Sequence, residues 1–564
     1  MVLVHSPTDL AAVYAELVAS YQAQEKLVAA LREAIASLEA KNAALESSLV
    51  NHACELELLR RKLYGVRSER GGTSEQQLLL GELLEGEAEL RKQLDELPKK
   101  GSDGDTDDPS KPDDGKQPNR PQPKGRRDLS TSKLPKVVVE ITDAELAAKG
   151  TLIDYETSRQ LARRQGGFYV LVKRVAKYRV PTEGGTTKVE AAESPRLVIR
   201  RGLMHTSLLA WIAVQKFGLG VPHHRLEQSL VSEGAPLDRS VMCRNMEEVG
   251  SALGATVVHA MLEHARSACQ VLSTDATGAA IQPGSRDGGP KRPCAKGHFF
   301  TIVADRDHVL FEYVRHHTSD AVSKLFAGFR GYLQSDASSV YDVLERGPPS
   351  LDEPSTKLVG CWAHCRRYFF EAAICKYRMG LEGLQRIRAI YAADAPLAKL
   401  PPSERKARRA VQVAPLIDDF FAWVAGQSRV ARPRDLAAKA VGYASRQEVE
   451  LRRVLDDGRL PLDNTRSERA LRTIVVGRKN WLFYGSDVHA QAAAALFGVL
   501  ASCRLHGIEP VQYLDEVLRL LPYWPKDRFL ELSPLRWPAT RARLSATELE
   551  APLGHFTVPP PLGG

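Results

Sequence analysis

CQVLSTDATGAAI (269–281), HFFTIVADRD (298–307) and HVLFEYVRHH (308–317) decide the fold of this chain. Each is rich in apolar, β-branched and aromatic residues over the length of a strand, and each is bounded by turn residues, so three consecutive strands are expected. A helix is expected over 319–328, then a strand at GYLQSD (331–336). KLVGCW (357–362) reads as a further strand running into a helix from His364. Strands, helix, strand, strand, helix describes one α/β layer structure.

Working outward, that order is the one found in ribonuclease H-like domains. It divides the chain into core segments at 266–350, 351–375 and 456–510. Residues 376–455 between them are helical and charged, with a basic run at Glu404 to Arg409, and read as an insertion. Upstream, 201–265 turns helical. Within it, PHHRLEQSLVSE (222–233), a turn at Gly234 and a helix after Asp238 have the punctuation of a helix-turn-helix. Arg239 and Arg244 would face outward there, although such hairpins are common without DNA contacts. Residues 128–200 alternate apolar and polar, as in FYVLVKRVAKYRV (168–180), and read as a small β-rich unit. The last segment, 511–564, with LLPYWP and PLRWPAT, reads as a tail laid on the surface.

The N-terminal segment, 1–97, reads as a coiled coil and a second helix. Over residues 10–66 one seam holds Tyr21, Val28, Ile35, Asn42, Leu49, Leu56 and Leu63, and the other holds Leu17, Gln24, Leu31, Leu38, Leu45, His52 and Leu59. Alternating steps of four and three place both on one stripe, so self-association is expected. A long helix packed on its own protein has the same pattern. Gly65 and Gly71-Gly72 end this helix, and Thr73 with Gln76 caps another over 74–97. Residues 98–127 hold proline, glycine and charge and read as a disordered linker, acid-rich at first and basic at Lys124, Arg126 and Arg127.

With 564 residues the chain is too long for one core. Hydrophobic residues make up 43% and charged residues 26%, which suits a folded chain. The excess of 78 Lys and Arg over 69 Asp and Glu is small for this length, so the placement of charge decides what it binds. Eight cysteines without a regular pairing fit a reducing compartment. A cytoplasmic, nucleoid-associated protein without a membrane segment is expected, because the longest apolar stretch, around Ala492 to Ala501, is alanine-rich and interrupted by Gly498.

Phosphodiester chemistry requires an oxygen nucleophile made reactive beside a phosphate and a stabilised leaving oxygen. Two divalent cations held by carboxylates meet both needs. Asp275 lies inside an apolar strand, where a carboxylate costs free energy unless it is paired. Asp336 ends the fourth strand, a place where open α/β sheets put functional groups. Glu468 lies on a helix in LDNTRSERALR, with Asn464 four residues before it and Arg472 four after, all on one face. Arg472, Arg478 and Lys479, with Asn464, would hold phosphate near the cations, and His364 would contact substrate phosphate or water. Singly, Asp275 also reads as a turn residue and Glu468 as a plain helix ion pair. The three together point to a metal site for Mg²⁺ or Mn²⁺, two ions per site.

DNTRSERALRTIVVGRKNWLFYGSD (463–487) resembles the segment around the catalytic glutamate of the insertion sequence 66 family of bacterial transposases. GFRGYLQSDASSVYDVL (328–344) resembles that family's second-aspartate segment, GCWAHCRRYFFEA (360–372) its next strand and helix, and RRKLYGVRSER (60–70) its N-terminal region. The resemblance implies a multidomain α+β protein: an N-terminal coiled coil, a small β-rich unit, a helical domain, and a ribonuclease H-like α/β core with a helical insertion. It implies a transposase that cleaves and joins DNA strands at the ends of an insertion sequence, with Asp275, Asp336 and Glu468 as its DDE residues. It also implies element-end and target DNA as partners, a homo-oligomer, and helper proteins encoded by the same element.

Two departures stand out. The family usually carries a cysteine-rich zinc segment after the linker, but 128–200 holds no cysteine, so no zinc is expected there. STDATGA also lacks the acidic and proline residues expected just after the first aspartate. Cys361, His364 and Cys365, with Cys375 nearby, fit a core cysteine and a histidine at the rim of the site better than a zinc cluster. A transposase-derived DNA-binding protein without catalysis, and a nuclease without strand transfer, are the competing readings.

Overall fold

The computed structural model describes residues 14, 18–22, 24–38, 129–164, 166–182, 186–199, 202–282, 293–345, 356–429 and 435–562. The chain forms two compact units, Met1–Arg127 and Asp128–Gly564. In the first, residues 18–22 and 24–38 are helical, and Tyr21, Val28, Leu31, Ile35 and Leu38 of the two seams are exposed. The rest of the heptad stretch, the expected helix 74–97, the linker 98–127 and the RRKLYGVRSER segment lie outside the described residues.

The second unit contains two sheets. In the smaller one β3 (Gly167–Pro181) is central. β2 (Thr151–Arg164) pairs antiparallel along its whole length. β1 (Lys136–Ile141) pairs parallel and β4 (Thr187–Ala191) antiparallel along its other side. Phe168 and its neighbours are buried on both faces of β3. On one face Phe168 meets Trp211 edge-on, with ring centroids 5.8 Å apart. On the other, Tyr169 and Leu171 cluster with Leu553.

Four helices follow: α1 (Thr206–Ala213), α2 (His223–Ser232), α3 (Arg239–Leu253) and α4 (His259–Ser267). α3 passes into α4 through one wide i→i+5 turn at Gly254–Val258. Met242, Met246, Val249 and Leu253 bury one face of α3; Arg244 is exposed on the other, and Arg239 is exposed at the start of the helix.

The larger sheet has the strand order β7-β6-β5-β8-β9. β5 (Val271–Ile281), β6 (Ala295–Ala304) and β7 (His308–Val314) form an antiparallel meander. β8 (Tyr332–Gln334) and β9 (Lys357–Val359) run parallel to β5. α5 (Trp362–Ile374) leaves the end of β9, and α6 (Thr465–Trp481) lies against β5. α7 (Asp487–Leu505) covers the meander and packs on α3. The approach is close: a Cβ on Gly250 of α3 would stand 2.3 Å from the Ala492 carbonyl of α7. Ser502 of α7 both donates to and accepts from the backbone of Val309, satisfying the outer strand of the sheet. α7 is long and apolar enough to cross a membrane by length and composition, but it is the core helix, buried from Ala492 to Leu500.

Between α5 and α6 the helices Arg378–Asp394, Pro402–Gln412, Ala414–Gln427, Leu436–Arg446 and Glu448–Arg452 form the insertion. Phe420 packs edge-on against Trp362 and Phe369 of α5. The basic run is partly structural. Arg409 is fully buried, gripping both carboxylate oxygens of Asp394 at 2.6 and 3.0 Å and donating to the carbonyls of Val454 and Leu460.

The expected surface tail over 511–564 is not what the chain forms. α8 (Pro510–Leu520) buries Tyr513, Leu514, Val517, Leu518 and Leu520 and packs on α1. Trp524, Leu532, Trp537 and Phe556 belong to the same core. The apolar residues lie in short pieces between prolines and charges, so no periodicity announces them, but together they complete the hydrophobic layer.

Candidate active site

The sheet brings two acids together by register. Ser273 of β5 pairs with Gln334 of β8, and Asp275 and Asp336 each lie two residues beyond that rung. They therefore project from neighbouring positions on one face, with strands spaced about 4.8 Å apart. Asp275 is still within β5, opposite Thr301 of β6, and half-buried; its Oδ1 accepts from the Ala276 N–H at 2.8 Å. Asp336 lies past the end of β8, its Oδ1 accepting from the Ser338 N–H at 3.1 Å, with Ala337 in the left-handed region at φ 64°. A residue other than glycine with that backbone marks a tight, over-determined turn.

Glu468 comes from the first turn of α6. The start of that helix is fixed to the sheet by Asn464, whose amide donates to the Thr274 carbonyl at 2.6 Å and whose N–H donates to Cys361 Sγ at 3.3 Å. Gln334 strengthens the same corner by donating to the carbonyls of Gly360 and Pro461. His364 on α5 places Nε2 3.7 Å from Glu468 Oε1.

Electrostatics record the convergence. Burial, helped by Asp336 and Glu468 and opposed by the Ala276 N–H and Arg367, pushes the Asp275 carboxyl up to about 6. Burial also raises Glu468, with Asp463 and Asp336 adding to it and Arg367 opposing. His364 is lowered by burial and by Arg367, with Asp336 and Asp463 pulling the other way. Its Nδ1 is buried without a hydrogen-bond partner. Acids close enough for two of them to act on Asp275 offer hard oxygen donors of the kind a divalent cation takes. Among the described residues the trio of ligand atoms lying within 4.8 Å of one another is elsewhere, at His264, Cys269 and Asp307. The acidic trio is spaced more widely than that.

The other sequence-predicted residues divide. Arg472 and Lys479 are exposed on α6. Arg478 is tied to β5, donating to Thr277 Oγ1 at 2.9 Å and to the Gly278 carbonyl. Asn464 is fully buried and holds α6 to β5, so burial takes it from the expected phosphate contact and gives it a positioning role. Cys361, Cys365 and Cys375 are buried thiols, and Cys361 caps the start of α5.

Three participants were not anticipated. Arg367, one turn after His364 on α5, is the cation acting on both Asp275 and Glu468. Its signal was present in HCRR (364–367), three residues after His364. Tyr341 is almost fully buried, and burial pushes its hydroxyl up, with Asp336 and Asp275 adding to the rise. Asp463 caps the approach to α6, accepting from the Thr465 N–H and from the Tyr391 hydroxyl.

A sequence model described as Transposase IS66 family matches residues 201–492, and a second, described as Transposase C of IS166 homeodomain, matches 54–139. Two relatives come from Sinorhizobium fredii (strain NBRC 101917 / NGR234). The uncharacterized protein y4qI is 26% identical over 549 residues, covering 94% of this chain and 97% of its own length. The uncharacterized protein y4hP is 28% identical over 369 residues, covering 61% of this chain and 64% of its own.

Proposed function

Because the chain belongs to the IS66 family of transposases, we propose that it cleaves and joins DNA strands at the ends of an insertion sequence, with Asp275, Asp336 and Glu468 as its metal-binding carboxylates. The observation carrying this reading is the strand register that sets Asp275 and Asp336 side by side, with Glu468 close enough to act on Asp275. The strand order β7-β6-β5-β8-β9, with an antiparallel meander and two parallel strands, supports a ribonuclease H-like core. Mg²⁺ or Mn²⁺ bound there supplies an activated attacking oxygen and a stabilised leaving oxygen.

The protein's own residues would do the rest. Asp275 and Asp336 hold the site on the rigid sheet, and Glu468 completes it from a helix that Asn464 keeps in place. Arg367, Arg472 and Lys479 offer positive charge to the scissile and flanking phosphates. His364, between Glu468 and Arg367, contacts substrate or a bound water. Arg239 at the start of α3 and Arg244 on its outer face offer further positive charge to DNA. The N-terminal heptads would pair protomers so that two element ends meet. Such a protein acts on the nucleoid, in the cytoplasm.

The test is strand cleavage and strand joining on duplexes carrying element ends, with Mg²⁺ or Mn²⁺. Asp275→Asn, Asp336→Asn and Glu468→Gln are each expected to reduce both reactions by at least about 10³-fold while leaving DNA binding intact. Retained cleavage in any of the three would remove that residue from the metal site. Binding without cleavage by the unaltered protein would favour the non-catalytic reading, and cleavage without joining of pre-cut 3′ ends would favour a nuclease.

A further inference from the structure

A second cluster of ligand-type side chains lies at the opposite end of β5. A ring nitrogen of His264, Sγ of Cys269 and a carboxylate oxygen of Asp307 are all within 4.8 Å of one another. They come from three elements: the last turn of α4, the link into β5, and the turn between β6 and β7. Cys269 precedes Asp275 by six residues, so along an extended strand the cluster is roughly 20 Å from the acidic site.

Around it the structure is built rather than incidental. His308, the first residue of β7, is fully buried; its Nε2 is 3.0 Å from His264 Nδ1, and its own Nδ1 has no hydrogen-bond partner. His506, at the end of α7, bonds to the Asp307 carbonyl at 2.8 Å and fixes the turn. Asp305 accepts from the N–H groups of Gln270 and Val271, fixing the start of β5 against the same turn. Asp305 itself adopts a left-handed backbone at φ 47°. The Cys269 thiol donates a long hydrogen bond to Asp307 Oδ2, at 3.8 Å.

We propose that His264, Cys269 and Asp307 bind a Zn²⁺ ion with water in the fourth position, and that His308 orients His264. One thiolate, one imidazole and one carboxylate form a mixed donor set suited to zinc in a tetrahedral site. His264 and Asp307 are half-exposed, so solvent reaches the fourth position. Coordination breaks the Cys269 S–H bond, forms a zinc–sulfur bond and releases the proton to solvent. Burial and the two aspartates otherwise hold that thiol up to about 12. The ion would staple α4, the start of β5 and the β6–β7 turn together, at the end of the sheet far from the carboxylate trio.

The test uses the full chain, stripped of metal and reloaded with Co²⁺ as a spectroscopic substitute. The expected result is a tetrahedral cobalt spectrum with sulfur-to-metal charge transfer at about one ion per chain. Cys269→Ser and Asp307→Asn should abolish it. Asp275→Asn should leave it unchanged, which separates this site from the acidic one. His308→Ala should weaken zinc affinity by about 10–100-fold without removing the charge-transfer band. If the ligand variants fail to fold, thermal unfolding of the unaltered protein decides: Zn²⁺ should raise the midpoint and Mg²⁺ should not reproduce the rise. No sulfur-to-cobalt band in the unaltered protein, a band that survives Cys269→Ser, or no response to zinc overturns the proposal.

Discussion

Asp275 occupies a place where a strand has no ordinary use for a carboxylate: mid-strand, half-buried, and facing two other acids. Its pKa in the fold, about 6, is above the ordinary aspartate value, so the folded state binds the proton more tightly than the unfolded chain does. Its contribution to stability is therefore full at low pH and is lost as pH rises through about 6. In chelator at pH 8, Asp275→Asn should stabilise the fold, by on the order of 1–3 kcal/mol, in denaturant unfolding. Adding Mg²⁺ should stabilise the unaltered protein more than the variant. Glu312 on β7 offers the same test away from the site: burial pushes it up to about 7, with Arg266 opposing. Glu312→Gln should be nearly neutral at pH 4 and stabilising at pH 8, the difference developing between the ordinary glutamate range and about 7. A stability profile for the variant parallel to that of the unaltered protein would refute this. Asp275 was legible because an acid inside an apolar strand is conspicuous along the chain. The anchoring role of Asn464 was not, because helical spacing places it on the face of Glu468 without revealing that β5 covers that face.

At the scale of elements, the insertion depends on a buried charge pair that sequence alone disguised. Glu404 to Arg409 reads as a solvated basic run. Two of its arginines instead turn inward to Asp394, on the preceding helix, with Arg405 at 2.6 Å and Arg409 fully buried. Removing one partner of such a pair strands a charge in a poor solvent for it. Arg409→Met should leave Asp394 partly uncompensated and free the carbonyls of Val454 and Leu460, costing about 3–5 kcal/mol. Hydrogen exchange should then show protection lost across Arg378–Gln427 before it is lost in β5 and β6; simultaneous loss would mean that the insertion and the sheet are one cooperative unit. The strands of the larger sheet were legible because their apolar runs are long and bounded by turns. The short β8 and β9 were legible only in sequence with the helices around them.

For the whole molecule, the surprise is how much of the core comes from the end of the chain. α8 rests on α1, and Leu553 covers one face of the smaller sheet. Ending the chain after residue 509 should expose both surfaces and yield a species lacking near-ultraviolet circular dichroism; a cooperative unfolding transition like that of the full chain would contradict the integrated core described above. No periodic signal marked these residues, because they act through assembly rather than through any one amphipathic face. The insertion makes the opposite point. Its chain leaves after α5 and returns beside the junction of β9 and α5: the Trp362 N–H donates to the Leu462 carbonyl at 3.0 Å, and the Gly360 N–H to the Glu450 carbonyl at 2.9 Å. A detour that comes back to the strand and helix it set out from adds length without moving the scaffold it interrupts, so evolution can swap, enlarge or prune that cassette while the carboxylate-bearing strands stay in register.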